Sequence, residues 1–444
     1  MTKTYSELPV ARFSEETAYS GELPQLLARF SEEHGPIFKR VVQSGPQAGL
    51  ELLFMLGPEA NRFVMLTHRD HFSHEQGWTP LIGETLGKGL LNMDEPEHTV
   101  HRRMWNPAFA SSYMSAYLPV MQAVIERRTR DWPAQPKINL YDEAREITFD
   151  VAAIALAGFE PGPQVDRLRE LFYILIHGWQ QGNENWSDFW QRYQQAQRDL
   201  SLMLLGMINE RRKRPVTDRP RDVLEMIVQA RDEHGEGLTD AQVLAHLNIL
   251  LVAGHETTTT LSAWALFLLS QMDAYRQQIT AELASIPTGP DGAPQIEALR
   301  SARLLDAFIK ETGRLYPPVL NVPRGVIKDF EFGGYHVPAG KQVRLSLAGS
   351  HMLSSLFENP GKFDPERFLA PRDEEKKNPY GLVTFGGGPR VCIGMYFAQV
   401  EVKALIAHVL SHYRLEPLPG QHPHHAGYWN ATIPEGLWVK ATAL

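Results

Sequence analysis

Between Val243 and Leu269 the chain runs through leucine, isoleucine, valine and alanine for the length of a membrane span, but Gly254-His255-Glu256 and four threonines interrupt it. Charge at the centre of a bilayer is expensive. A helix apolar on most sides with a polar cluster at its midpoint is therefore a central buried helix, and the cluster needs a reason. Such a helix must be wrapped, and 444 residues that are 43% hydrophobic supply the apolar surface to wrap it. Disorder, collagen and coiled coil are excluded by the same composition.

The wrapping is mostly helical. Helical periodicity marks Tyr117 to Asp131, Tyr141 to Ala157, Val165 to His177, Asn185 to Arg212, Asp222 to Asp232, Asp240 to Gln271, Ala274 to Ser285, Leu304 to Tyr316 and Gly394 to Tyr413. Short strands read at Phe38 to Val42 and Glu51 to Leu56, either side of a turn-rich Gln43 to Gly49, and again at Asn321 to Ile327, Phe330 to Gly334 and Gln342 to Leu347. His71 to Glu97 reads as a long glycine-containing connection, and Ile286 to Gln295 as a Pro/Gly-rich loop. No linker separates independent domains, so residues 1–444 are expected to form one unit.

A net charge of −8 argues against a nucleic-acid or anionic-membrane surface. One cysteine cannot make an internal disulfide, and Met1 to Ser20 has neither an apolar signal core nor an anchor, so a cytoplasmic protein is expected.

That single cysteine sits in Phe385-Gly386-Gly387-Gly388-Pro389-Arg390-Val391-Cys392-Ile393-Gly394. A lone cysteine is usually a small buried hydrophobe, but three glycines before a proline let a backbone approach a flat ligand closely. The helix that begins after Cys392 puts partial positive charge beside the sulfur and favours thiolate, as an axial iron ligand requires.

Phe385-x-x-Gly388-x-Arg390-x-Cys392-x-Gly394 resembles the haem-binding signature of the cytochrome P450 family, the haem-thiolate monooxygenases, in its soluble bacterial form. The resemblance implies a mainly α fold with small β-sheets (α+β), the family's triangular prism, with haem b between the long central helix and the helix after the cysteine loop. It implies Cys392 as the metal ligand, with Phe385, Gly386, Arg390 and Gly394 around the cofactor. Further matches follow the family's order. Glu311-Thr312-Gly313-Arg314 resembles the helix motif whose Glu–Arg pair, alone, would read as a surface salt bridge; with Arg367 of Pro365-Glu366-Arg367-Phe368 it resembles a buried structural network. His98-x-x-x-Arg102 places two side chains on one helical face and resembles the pair that holds the haem propionates, which Arg324 would join.

Ala253-Gly254-His255-Glu256-Thr257-Thr258 resembles the family's oxygen-activating helix motif. Ala253 would leave room over the porphyrin, Thr257 would position oxygen and a water, and Glu256 would relay protons as a general acid. Threonine hydroxyls bonding back to the preceding turn would bend the helix and widen it locally; Thr259 and Thr260 read as satisfied by backbone alone. His255-Glu256-x-x-Thr259 lacks the second histidine of a zinc-protease helix. Gly87-Lys88 lacks phosphate-loop spacing. His422, His424 and His425 read as a solvated loop, and His68, His71 and His74 likewise carry no metal reading.

By the same resemblance the pocket draws on Trp78, Leu81, Leu90, Ile249, Ala253, Val319, Leu320, Val322 and Trp429, with Trp179, Trp186 and Trp190 in a lid or in the core. The expected activity is insertion of one atom of O2 into a lipophilic small molecule: a terpenoid, retinoid, steroid or fatty acid. A peroxide-driven peroxygenase, an isomerase and a non-enzymatic haem sensor share the fold but do not need both Glu256 and Thr257. With no fused reductase, electrons would come from a separate ferredoxin or flavodoxin and its NAD(P)H reductase, docked near Arg102 and Arg103. The protein would be a monomer with no membrane anchor and no nucleic-acid partner. His351 to Phe357 departs from the family in lacking a His-Arg-Asp run.

Overall fold

The computed structural model describes residues 2–43, 48–181, 185–216, 222–289 and 294–444. Parts of the two Pro/Gly-rich loops read from the sequence, 44–47 and 290–293, lie outside the described residues, as does the side chain of Trp179.

Among the described residues, twelve helices of seven residues or more carry the architecture: α1 (Leu23–His34), α2 (His74–Leu86), α3 (Glu97–Trp105), α4 (Ser111–Thr129), α5 (Leu140–Val151), α6 (Pro163–Gln181), α7 (Trp186–Arg212), α8 (Val223–Gln229), α9 (Asp240–Gln271), α10 (Asp273–Ala284), α11 (Arg303–Leu315) and α12 (Met395–His412). The central helix α9 starts where the sequence places it. Thr239 Oγ1 accepts from Gln242 N while Gln242 Oε1 accepts from Thr239 N, a reciprocal cap that fixes the first turn. Beyond that turn α9 is buried nearly all round, packed against α5, α7, α11 and α12. At roughly 1.5 Å per residue its 32 residues run for about 48 Å.

A five-stranded sheet lies beside this helical body in the order β1 (Ile37–Val41), β2 (Glu51–Met55), β8 (Gln342–Ser346), β5 (Asn321–Val326), β3 (Phe72–Ser73). A hairpin of β6 (Phe330–Phe332) and β7 (Tyr335–Val337) and a three-stranded sheet of β4 (Ile138–Asn139), β10 (Trp438–Ala443) and β9 (Tyr413–Pro417) complete the strands. Only β2 and β8 pair in parallel within the large sheet, and β5 runs antiparallel to β8 with Pro323 opposite Arg344.

The expected connection between His71 and Glu97 instead holds helix α2 over His74–Leu86. Its sequence carries Gly77, Pro80 and Gly83, which weaken any helical signal. Capping supplies what propensity lacks. Ser73 Oγ accepts from Gln76 N, and the Asp94 carboxylate accepts from the backbone N–H groups of His74 (2.7 Å) and Glu75 (3.2 Å). Gly77 then lets α2 lie directly on β5: a Cβ there would stand 2.6 Å from Pro323 O and 2.9 Å from Arg324 Cα.

Candidate active site

The cysteine loop is held open by backbone geometry. Gly386 and Gly388 adopt φ of +72° and +64°, and a Cβ on Gly388 would fall 2.2 Å from Met65 O. Cys392 N donates to Phe385 O at 2.9 Å, closing the loop, and Gly394 begins α12. Cys392 Sγ faces a cavity while remaining deep in the protein. Burial pushes its thiol up, against the Gly394 N–H and the Arg102 guanidinium. The Gly394 N–H and Arg102 act toward the thiolate expected from sequence while burial acts against it; iron held by the sulfur would settle the balance, because a coordinating thiol is deprotonated outright.

Four of the predicted basic residues converge on this cavity. His98, Arg102, Arg324 and Arg390 all line it. Arg324 is fully enclosed and donates only to its neighbour Pro323 O; burial, with Arg390 second, lowers its affinity for a proton to a pKa of about 9. Arg390 Nη1 has no partner among the described residues, and its nearest carboxylate, Glu95 Oε1, is 3.5 Å from Nη2. His98 is brought down to about 4 by burial and by Arg390. Arg102 donates from Nη2 to Val391 O at 2.9 Å and from Nε to Asn106 Oδ1 at 3.0 Å, so it braces the cysteine loop as well. His74, dismissed on sequence, joins this group: it lines the cavity, and burial with the charges of Arg324, Arg390 and His98 drives it well below the usual imidazole range. Nothing in its sequence context signals this, because the helix that carries it owes its start to Asp94.

Across the cavity stands α9. Thr257 Oγ1 donates to Ala253 O at 2.9 Å, and Thr258 Oγ1 to Gly254 O at 3.0 Å. The Thr257 hydroxyl proton is thus taken by backbone, leaving an acceptor oxygen toward the cavity. Thr259 Oγ1 lies 2.7 Å from Thr148 Oγ1, and Thr260 Oγ1 donates to the carbonyls of Glu256 and Ala431. Thr260 keeps to backbone carbonyls as expected, whereas Thr259 departs from that reading by pairing with the Thr148 hydroxyl of α5. The expected widening of α9 is absent: it stays α-helical throughout, and the π-helical turns are in the facing segment, residues 152–156, against which Gly254 packs. Glu256 is buried beside His255, in the electrostatic range of Arg145, whose charge is held up by Tyr141, Glu256 and Tyr173 against the penalty of burial.

Glu311, Arg314 and Arg367 meet in full burial. Arg314 donates to both Glu311 oxygens (2.7 and 2.8 Å), Arg367 Nε reaches Glu311 Oε1 at 3.3 Å, and Asp364 N donates to the same oxygen at 2.8 Å. Arg367 Nη1 donates to Glu374 Oε2 at 3.4 Å, and the remaining guanidinium donors go to the carbonyls of His351, Pro360, Asn359 and Lys362. His351, in the segment that departs from the family, donates from Nδ1 to Arg314 O and accepts from Val383 N, tying this network to the cysteine loop.

The cavity between these groups has a volume of about 1080 Å3. Trp78, Leu81, Leu90, Ile249, Ala253, Val319, Val322 and Trp429 line it as expected. Leu320 does not; it turns into a small cluster with Ala348 and Ala431. Trp186 and Trp190 stack on each other along α7 and stay off the cavity wall, while Leu175 and Ile176 of α6 reach it.

A sulfur on a glycine loop, a buried guanidinium without an ion-pair partner and a cavity of about 1080 Å3 between them and α9 fit haem b with two propionates, and they define a haem-thiolate protein. The cytochrome P450 family model matches residues 10–435. A putative cytochrome P450 136 of Mycobacterium tuberculosis is 32% identical over 85% of this chain and 77% of its own. A putative cytochrome P450 120 of Synechocystis is 29% identical over 88% and 86%. The solved structure of retinoic acid bound cyanobacterial CYP120A1 superposes over all of both chains with a TM-score of 0.84 at 27% identity. The chain belongs to the cytochrome P450 family. Its cofactor is haem b on a cysteine thiolate, its oxidant is O2, and Cys392 is the one cysteine available. Among the described residues no helix is long and apolar enough to cross a membrane.

Proposed function

We propose that the chain is a single catalytic unit that hydroxylates or epoxidises a lipophilic small molecule of retinoid, terpenoid, steroid or fatty-acid type. The observation that carries this is the placement of Thr257 and Glu256 on the wall of the same large, mainly apolar cavity that Cys392 faces. His74, His98, Arg102, Arg324 and Arg390 hold the propionates. Haem, when bound, supplies the oxidising chemistry. The chain supplies the rest: Thr257 orients a water or oxygen through its free acceptor, Glu256 passes protons inward, and the apolar wall excludes bulk water and orients the substrate. The retinoic acid in the cyanobacterial neighbour, and relatives named cytochrome P450 26B1 and sterol 14alpha-demethylase, favour polyisoprenoid shapes.

Electrons come from a separate ferredoxin or flavodoxin with its NAD(P)H reductase. Arg103, exposed on α3, offers docking charge; Arg102 is occupied by the cysteine loop and contributes less. The test is the reduced, carbon-monoxide-bound spectrum of wild type and Cys392→Ser, followed by turnover of retinoic acid, farnesol and a sterol. A thiolate-type Soret band lost in the mutant, and product formed with reductase and ferredoxin, support the reading. A histidine-type band overturns it, and product with hydrogen peroxide alone replaces it with a peroxygenase.

A further inference from the structure

Where the cysteine loop has no side chain, at Gly387 and Gly388, it rests on Met65. A Cβ on Gly388 would fall 2.2 Å from Met65 O. One on Gly387 would stand 2.7 Å from the Tyr380 ring and 3.3 Å from Met65 Sδ. Both the backbone and the thioether of Met65 thus pack on the turn that precedes Cys392. Cys392 N donates to Phe385 O across that turn, so a displacement of the glycines is passed on to the sulfur that holds iron.

Met65 is buried in an apolar cluster with Val64, Phe72, Val326 and Val383. It also lines the cavity that Cys392 faces, and among the described residues it is the one methionine that does. From Met65 the wall continues through Leu66 and Thr67 to Arg69 and Asp70, and the last three of these are exposed. A small polar oxidant therefore reaches the thioether from solvent along the cavity rim without the core opening. Met93 and Met104 are as deeply buried but stand off the cavity wall. Met395 begins α12 close after the loop and is off the wall as well.

Hydrogen peroxide is the oxidant a haem protein releases when it reduces O2 without transferring an oxygen atom. At a thioether its chemistry is balanced. The sulfur lone pair attacks one peroxide oxygen, the O–O bond breaks, and the other oxygen takes up the proton and leaves as water. Sulfur has given up an electron pair and become a sulfoxide. That change turns a flexible apolar side chain into a polar, chiral one. At Met65 it puts an oxygen acceptor into an apolar cluster, where an unpaired polar group is costly. It also adds an atom beside a glycine whose own Cβ would already be in tight contact with the sulfur.

We infer that Met65 is an oxidative modification site, at which hydrogen peroxide forms the sulfoxide and loosens the cysteine loop, switching the haem-thiolate centre off until a methionine sulfoxide reductase restores the thioether. The inference needs only the haem-thiolate class and not the proposed substrate reaction.

The test treats haem-loaded wild type, Met65→Leu and Met395→Leu with dilute hydrogen peroxide. Leucine keeps nearly the same apolar volume and cannot be oxidised in this way. At intervals the reduced, carbon-monoxide-bound spectrum is recorded, and peptide mass spectrometry locates the oxygen gained by each methionine and by Cys392. In wild type the thiolate-type band is expected to fall in step with oxygen on Met65 while haem absorbance is kept, and a methionine sulfoxide reductase should bring the band back. Met65→Leu should lose the band at least about two-fold more slowly than wild type, and Met395→Leu at the wild-type rate. Equal rates in Met65→Leu and wild type, or a loss that follows oxygen on Cys392 or Met395, overturn the site. Met65 sulfoxide with the band intact overturns the switch. Bleaching of haem absorbance at the same rate in all three proteins puts the damage on the cofactor and overturns both. If Met65→Leu does not load haem, the wild-type time course and its reversal by the reductase decide the matter.

Discussion

His255 Nδ1 lies 2.6 Å from Leu251 O while its Nε2 lies 2.9 Å from Glu256 Oε1. A carbonyl only accepts, so Nδ1 carries a proton. Nε2 then faces the Glu256 carboxyl, so the geometry lets a proton pass between the ring and the residue proposed to relay protons at the edge of the cavity. Glu256→Gln is expected to lower O2-dependent turnover by on the order of 100-fold and to raise the solvent isotope effect, with substrate affinity retained. His255→Phe is expected to do the same to a smaller degree. Unchanged turnover in Glu256→Gln would remove Glu256 from the relay.

Thr257 gives its hydroxyl proton to Ala253 O, so only its lone pairs act toward the cavity. Thr257→Ala is expected to keep haem and oxygen binding and to divert electrons to hydrogen peroxide. The ratio of product to NAD(P)H consumed reads this directly; a wild-type ratio would assign the oxygen-orienting role elsewhere. Thr257→Ser, which keeps the oxygen, should recover most of the coupling.

What the sequence discloses and what it hides divides along a physical line. The cysteine loop, α9 and the Glu311–Arg314–Arg367 network are legible because each depends on short-range chemistry: positive φ at Gly386 and Gly388, a capping box at Thr239, an i, i+3 pair on α11. Helix α2 and the role of His74 are not, because both depend on Asp94 twenty residues away and on Gly77 meeting β5. Leu320 is misplaced for a similar reason: it lies just before β5, outside the alternation that brings Val322 and Arg324 to the cavity, and its N–H goes to the Trp429 carbonyl while its side chain packs with Ala348 and Ala431.

Gly77 sets how closely α2 approaches the strand that carries Arg324. Its missing Cβ would meet backbone, which cannot swing aside. Gly77→Ala is expected to cost about 1–3 kcal/mol and to lower haem retention, because Arg324 moves with β5. Gly206→Ala in α7, where nothing lies within 4 Å, is the control, neutral or more stable by up to about 1 kcal/mol. Urea unfolding and the haem-to-protein absorbance ratio check both variants.

Glu311 is wholly buried between two guanidiniums. Removing its charge leaves Arg314 without an acid and Arg367 with only Glu374 at 3.4 Å, so Glu311→Gln is expected to cost about 3–5 kcal/mol and to yield mostly haem-free protein. Charge reversal of an exposed pair such as Lys328–Asp70 should change stability by less than about 1 kcal/mol. Comparable losses in the two would mean that the network is not what braces the cysteine loop.

Two buried histidines set a limit on acid stability. His351 accepts from Val383 N and donates to Arg314 O; His425 accepts from Trp264 Nε1 and donates to Pro317 O. Each ring uses one nitrogen as an acceptor, so protonation would break a hydrogen bond as well as bury a charge. Burial brings His351 down to about 3, with Arg314 adding to it, and brings His425 down to about 4. Because the folded values lie below the unfolded value near 6.5, the unfolded chain takes up more protons as pH falls. The stabilisation is present above about pH 6.5 and is lost as pH drops toward 4 and then 3. By about pH 5 each histidine accounts for a loss of up to about 2 kcal/mol. His425→Gln keeps one donor and one acceptor but cannot titrate. Its urea midpoint should therefore fall less than that of wild type between pH 7 and pH 5, and parallel profiles would show that His425 is not a source of the acid sensitivity.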